Sequence, residues 1–199
     1  YDQFYCEHIY VFSTLALKNI LKKFNFEIFD IENVNTHGGS NRYLIKKKDN
    51  RFYKISTTVK REISKEIRFG LNKFSTYKKF AKKVLNSKKK LLQIIKKLKN
   101  KKQKIIGYGA TAKSCTVLNY CGIGKQDIDY FLDTTSYKIN KFLPGSKILI
   151  KKYKKLSSNN VDVVYLGAWN FKNEIFKKEK KFIKEGGKFI THIPLPKII

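Results

Sequence analysis

An α/β fold is predicted, and three observations predict it. From Lys104 onward, short apolar strands alternate with helices to the end of the chain. Residues 60–102 carry one long, basic, helical pattern, and the residues before them read as helix, strand, glycine turn, strand. Strand and helix in alternation build a mostly parallel sheet with helices on both faces.

Each element has a local reason. STLALKNILKKFN, residues 13–25, sets Leu15, Leu17, Ile20, Leu21 and Phe24 near helical spacing, with Ser13 or Thr14 as the cap. FEIFDIENVN alternates from Phe26 and Ile28 to Val34, and THGGSNRYLIKKK adds a glycine turn and a second short strand. From Lys60 to Lys102, Ile63, Ile67, Phe74, Phe80, Val84, Leu91, Ile95 and Leu98 form one apolar stripe, with Gly70 or Asn86 as the expected break. KIIGYG is then a buried strand, ATAKSCTVLNYCG a helix stopped by Gly122, and IDYFLD a second strand. PGSKILI is a turn and strand, VDVVYLGAW a strand, NFKNEIFKKEKKFIKEGG one helix with a glycine stop, and KFITHIP a last strand.

Composition narrows the function classes. The 199 residues are 42% hydrophobic and 14% aromatic, enough apolar matter for a core. Lys and Arg number 44 against 15 Asp and Glu, for a formal charge of +29, which attracts polyanions. The lysines are nevertheless scattered through every segment, without a helix-turn-helix, zinc-finger spacing or aromatic RNA-binding signature. A basic nucleic-acid-binding protein therefore stands only as a second alternative, and a lysine-rich composition is preferred. Cys6, Cys115 and Cys121 include no CxxC pair, so neither a disulfide framework nor a metal site is expected in this chain, and a reducing cytoplasm fits. No apolar run reaches the roughly 18 residues of a membrane span. The chain starts at Tyr1 and contains no methionine, so a fragment of a longer protein is expected.

GYGATA, residues 107–112, follows a strand and opens a helix. Gly107 is expected to make the tight turn, Gly109 to admit another backbone, and Ala112 to allow close helix-to-sheet packing. The helix start offers N–H groups and a positive dipole end to a phosphate. Asp133, closing the next strand, stands where a dinucleotide-binding domain places its ribose-binding acid. An NAD- or nucleotide-binding module of the dehydrogenase type is accordingly the first alternative. Trp169, the single tryptophan, reads as core, and His192 as a satisfied strand histidine.

The opening YDQFYCEHIYVFS and THGGSNRYL, followed in order by KIIGYGATAKSCTVLNYCGI, IDYFLDTTSYKINKFLPGSKILI, LGAWNFKNEI and GGKFITHIPLPKII, resemble the C-terminal half of the sugar C-methyltransferases. The resemblance implies S-adenosylmethionine as cofactor, bound mostly in a missing N-terminal part, and zinc in a missing N-terminal domain. It also implies a nucleotide-sugar substrate, thymidine-diphosphate-linked, with neither nucleic acid nor membrane as partner. Residues 1–58 would then end a class I methyltransferase domain, 59–102 would be a helical connector, and 103–199 a Rossmann-like C-terminal domain. The chain departs from the family at Cys6, where histidine is common, at Ser114, where glycine is frequent, and at Gly167-Ala168, where a proline-containing version is frequent.

Methylating a sugar carbon requires a carbanion, and a neighbouring ketone makes its proton removable as an enolate. A histidine, with an ordinary pKa near 6.5, suits that task. The resemblance makes His8 the general base, Glu7 its orienting acid, and Tyr5 a donor to the enolate oxygen. It also makes His37, Gly38, Gly39, Ser40 and Arg42 substrate contacts, with Arg42 facing phosphate. Tyr108, Gly109, Thr111, Lys113 and Asn170 are implied to face the nucleotide-sugar.

Overall fold

All five strands expected after Lys102 form in the computed structural model of the chain, which describes residues 1–36 and 39–199. The expected substrate contacts His37 and Gly38 lie outside the described residues. The chain divides into two units, residues 10–82 and residues 1–9 with 83–199.

In the first unit, helix α1 (Thr14–Lys23) precedes strands β1 (Phe26–Val34) and β2 (Ser40–Lys47), an antiparallel pair, and helix α2 (Thr57–Phe69) follows. The expected alternation in β1 fails at a bulge between Ile28 and Asp30. The extra residue turns Ile31 onto the face of Ile28, so these two, with Val59, form the small core, while Phe26 is 38% exposed. Ser13 caps α1 by accepting from the Ala16 amide at 3.1 Å. A second cap comes from far along the chain, where the Glu66 carboxylate accepts from the amides of Thr14 (2.7 Å) and Leu15 (2.8 Å). Glu66→Ala is expected to destabilise this unit by about 1–2 kcal/mol, read as a lower urea midpoint, because two helix-end donors lose a charged acceptor.

Gly70 is the break in the helical run: at φ +90 it closes α2 in the left-handed conformation. Helix α3 (Phe74–Asn100) then passes through Asn86 without interruption. Its stripe is only half as long as expected. Ser87, Leu91, Ile95 and Leu98 are buried, whereas Phe74 and Phe80 are 73% and 49% exposed. Helical periodicity marks a face, but burial needs something beneath it, and only the second half of α3 packs on a core cluster.

In the second unit, β3 (Ile105–Tyr108), β4 (Phe131–Asp133), β5 (Ile150–Lys152), β6 (Val163–Leu166), β7 (Lys188–Thr191) and β8 (Lys197–Ile198) form one sheet in the order β5-β4-β3-β6-β7-β8. All pairings are parallel except that of β8, a strand not anticipated, with β7. Counted from β3 as 1, the order is 3-2-1-4-5-6, the Rossmann arrangement. One face buries Ile105, Phe131, Val163, Tyr165 and Ile190 with α3 and helix α4 (Ala112–Cys121); the other buries Ile106, Leu132, Val164 and Phe189 with Ile175 and Phe182.

The expected last helix is two, α5 (Lys172–Lys178) and α6 (Lys180–Lys184), broken at Glu179, whose side chain turns inward at 1% exposure. The glycine turn also differs in its parts. Gly107 lies within β3, where a Cβ would sit 2.4 Å from the Phe131 ring. Gly109, at φ +84, makes the turn. Ala112 is exposed, and the close helix-to-sheet contact is made by Ser114, wholly buried, whose hydroxyl donates to the Gly109 carbonyl at 3.2 Å. Gly167 makes room for that hydroxyl, since a Cβ there would lie 2.2 Å from Ser114 Oγ. Among the described residues no helix is long and apolar enough to cross a membrane.

Candidate functional site

The carboxyl ends of β3, β4 and β6 open on a cleft of about 320 Å³ at the point where the strand order reverses, the usual ligand position of such sheets. Tyr108, Gly109 and Thr111 line it from β3 and its turn, Asp133, Thr135 and Lys138 from the segment after β4, and Tyr153 and Lys178 from the opposite wall. A larger hollow of about 640 Å³ beside Phe24, Phe26 and Lys47–Asp49 is walled by exposed residues.

Thr111 caps α4, accepting from the Ser114 amide at 3.1 Å, so the helix begins at the cleft with its positive end. Lys138 donates to the Ala110 carbonyl at 2.9 Å and lies 3.8 Å from Asp133. The Lys178 ammonium sits 3.5 Å above the Tyr153 ring. On the cleft wall, the Tyr108 and Tyr153 hydroxyls both donate to Glu179 Oε1, at 3.3 and 2.7 Å, and the Leu156 amide donates to its other oxygen. Burial first, then the Glu179 charge, pushes the Tyr108 phenol well up; burial and the bond to Glu179 push Tyr153 up to about 12. Both phenols therefore stay protonated as donors to Glu179, and Tyr108 is among the residues that line the cleft. Glu179 was legible in one respect: it shares a helical stripe with the buried Ile175 and Phe182, a carboxylate where an apolar residue belongs.

Asp133 works inside the fold. Its oxygens accept from the amides of Ala110 and Thr135, each at 2.8 Å. This is the acid that the NAD alternative required for a ribose hydroxyl, and its carboxylate is already tied to two backbone turns. Burial opposes its charge, but the bonds from Thr135 and Ala110, with Lys138 nearby, outweigh burial and hold its carboxyl below the usual range. An acid depressed by folding stabilises above its unfolded pKa of about 4 and loses that contribution as pH falls toward the folded value. Asp133→Asn should therefore flatten the acid limb: below about pH 4 the urea midpoint of the unaltered protein should fall more steeply than that of the variant.

The expected site residues fall in several places. Tyr5 and His8 meet: the Tyr5 hydroxyl lies 3.3 Å from His8 Nε2, and their rings pack with centroids 4.3 Å apart. Glu7 is exposed in the same 3-10 turn, Cys6–His8. Burial, then the charges of Glu7 and Asp2, raises the Tyr5 phenol above its ordinary value. Lys113 is outside the cleft lining, buried with its ammonium 5.5 Å from the Trp169 ring, and Asn170 is exposed in the turn Trp169–Phe171. In the other unit, Arg42 pairs with Glu32 across the hairpin at 2.8 Å, Ser40 donates to the Thr36 carbonyl, and Gly39 adopts φ +114.

Trp169 is half-buried, and its indole N–H donates to Asp2 at 2.6 Å; His192 is satisfied, between Asp2 and Tyr165. Asp2, only 2% exposed, escaped the sequence reading although it stands inside YDQFYCEH.

A family model described as C-methyltransferase C-terminal domain matches residues 35–194. C-methyltransferase NovU of Streptomyces niveus is 29% identical over 199 residues, which are 100% of this chain and 47% of that protein. The chain thus spans less than half the length of that relative.

Proposed function

This chain belongs to the C-methyltransferase C-terminal domain family, and on that premise we propose that it is the base-bearing and substrate-binding half of an S-adenosylmethionine-dependent enzyme that methylates a carbon of a nucleotide-linked keto-deoxysugar. The reading is supported above all by a likeness to a C-methyltransferase that runs through all 199 residues, YDQFYCEH included.

In this reading residues 1–58 end a methyltransferase domain, 59–102 connect, and 103–199 carry the nucleotide handle of a thymidine-diphosphate-linked sugar. Among the described residues, 10–82 supply an antiparallel hairpin, β1 with β2. The family likeness assigns most of the cofactor pocket, and zinc, to the portion of such an enzyme outside this chain; the cofactor when bound would supply a sulfonium methyl group. His8 takes the proton from the carbon beside the ketone, leaving the electron pair as an enolate. With His8 in the tautomer whose Nε2 carries the lone pair, the Tyr5 hydroxyl 3.3 Å away donates to it, and turning that hydrogen to the enolate oxygen releases Nε2 for the substrate proton. Glu7, one residue earlier in the same 3-10 turn, is assigned to orient the imidazole. The α4 start with Lys138 and Lys178 suits the diphosphate, framed by Tyr108, Gly109 and Thr111; Lys113 and Asn170 keep the nucleotide-sugar contact that the family likeness assigns them, and within residues 10–82 the same likeness assigns substrate contacts to Gly39, Ser40 and Arg42.

The test uses the full-length enzyme, incubated with S-adenosylmethionine and a thymidine-diphosphate-linked ketosugar. A sugar heavier by one methylene in the mass spectrum is expected, together with binding of the sugar nucleotide but not of NAD. Binding of NAD without any methylated product would sink the proposal.

A further inference from the structure

The chain buries one carboxylate six residues before the proposed base, and that burial has a structural use. Asp2 Oδ2 accepts from the Trp169 indole at 2.6 Å and lies 3.3 Å from His192 Nε2; His192 Nδ1 lies 3.1 Å from the Tyr165 hydroxyl. Tyr165 and His192 are buried to 0% and 1% exposure, Tyr165 within β6, and Trp169 and His192 just beyond the ends of β6 and β7. One tautomer satisfies every member: the imidazole donates from Nε2 to Asp2 and accepts at Nδ1 from the phenol. A carboxylate so deeply buried is tolerated only when donors meet it, and here two do.

The segment around Asp2 has little regular structure of its own, and its other attachments follow the same course. The Thr116 hydroxyl of α4 donates to the Phe4 carbonyl at 2.6 Å, and the Tyr1 ring packs on Tyr120 with centroids 5.4 Å apart. Tyr5 comes directly after the anchored Phe4 carbonyl, and the turn Cys6–His8 follows.

Resting on the function proposed above, we infer that Asp2 is a positioning residue: by bridging the Trp169 indole and the His192 imidazole it pins the segment that carries the Tyr5–His8 pair to the carboxyl edge of the sheet. The Tyr165–His192–Asp2 chain continues that anchor into the core. Asp2 touches no reacting atom in this assignment; it sets where the imidazole stands.

The test compares Asp2→Ala and Asp2→Asn in the full-length enzyme. Misplacing a catalytic group by about 1 Å costs on the order of 10–100-fold in rate, so Asp2→Ala should lower kcat by that factor, with the KM for the sugar nucleotide nearly unchanged. Asp2→Asn keeps an oxygen acceptor for the indole and should lose less than about fivefold. Hydrogen exchange read by mass spectrometry is the second measurement: Asp2→Ala should speed exchange in residues 1–9 and leave β3, β4 and β6 protected. Unchanged kcat and exchange in Asp2→Ala would overturn the inference. So would faster exchange throughout the sheet with kcat lost only in proportion to unfolded protein, since Asp2 would then serve stability alone. The exchange measurement judges the anchor even if no methyl transfer is found, so failure of the proposed function and failure of the anchor are read separately.

Discussion

Replacing His8 with glutamine in the full-length enzyme is expected to lower kcat for sugar methylation by about 10²–10⁴-fold, the usual contribution of a positioned general base. Glutamine occupies similar space and still offers the Tyr5 hydroxyl a polar partner, but it cannot take up a proton near neutral pH. The fold should not suffer, because the segment keeps its anchors at Asp2 and at the Phe4 carbonyl. The sharper measurement omits S-adenosylmethionine and follows deuterium entering the substrate carbon from heavy water. Unaltered enzyme should catalyse that exchange, and the His8→Gln variant should not. Methylation at the normal rate in the variant would remove His8 from the role.

Gly109→Ala is expected to give the largest loss of stability, about 2–4 kcal/mol from left-handed backbone strain and overpacking together. The residue sits at φ +84, and an added Cβ would lie 2.5 Å from the Ala168 Cβ and 3.1 Å from the Ala168 amide nitrogen. Neither neighbour can retreat easily: the Gly109 amide donates to the Leu132 carbonyl at 2.8 Å, and the Ala168 amide to the Tyr108 carbonyl at 3.2 Å. Urea denaturation of the single variant and of Gly109→Ala with Ala168→Gly separates the two causes. The pair should recover the part due to the Cβ overlap and keep a deficit of about 1 kcal/mol or more from the backbone. Full recovery would mean that the positive φ carries no strain.

The elements were legible because their signals are local. Ser13 ahead of an apolar period marked the start of α1, Gly70 and Gly122 at helix ends supplied left-handed caps, and the strand–helix alternation after Lys102 predicted the parallel sheet. Where that reading went astray, a distant neighbour had intervened. The bulge that brings Ile31 to the core, the exposure of Phe74 and Phe80, and the break at Glu179 depend on what lies against those positions, which periodicity does not encode.

The same division runs through the candidate site. The glycine turn, the family likeness and the presence of Tyr5, Glu7 and His8 in one short stretch could be read from the order of residues alone. The partners of Asp2 could not, since Trp169 and His192 stand 167 and 190 positions away. The chain's own order determined which elements form and which chemical groups are available, because dihedral preference, capping and apolar period act within a few residues. Only the tertiary structure decided which carboxylates are buried and what they hold, because the desolvation of a charge is set by whatever the folded chain packs around it.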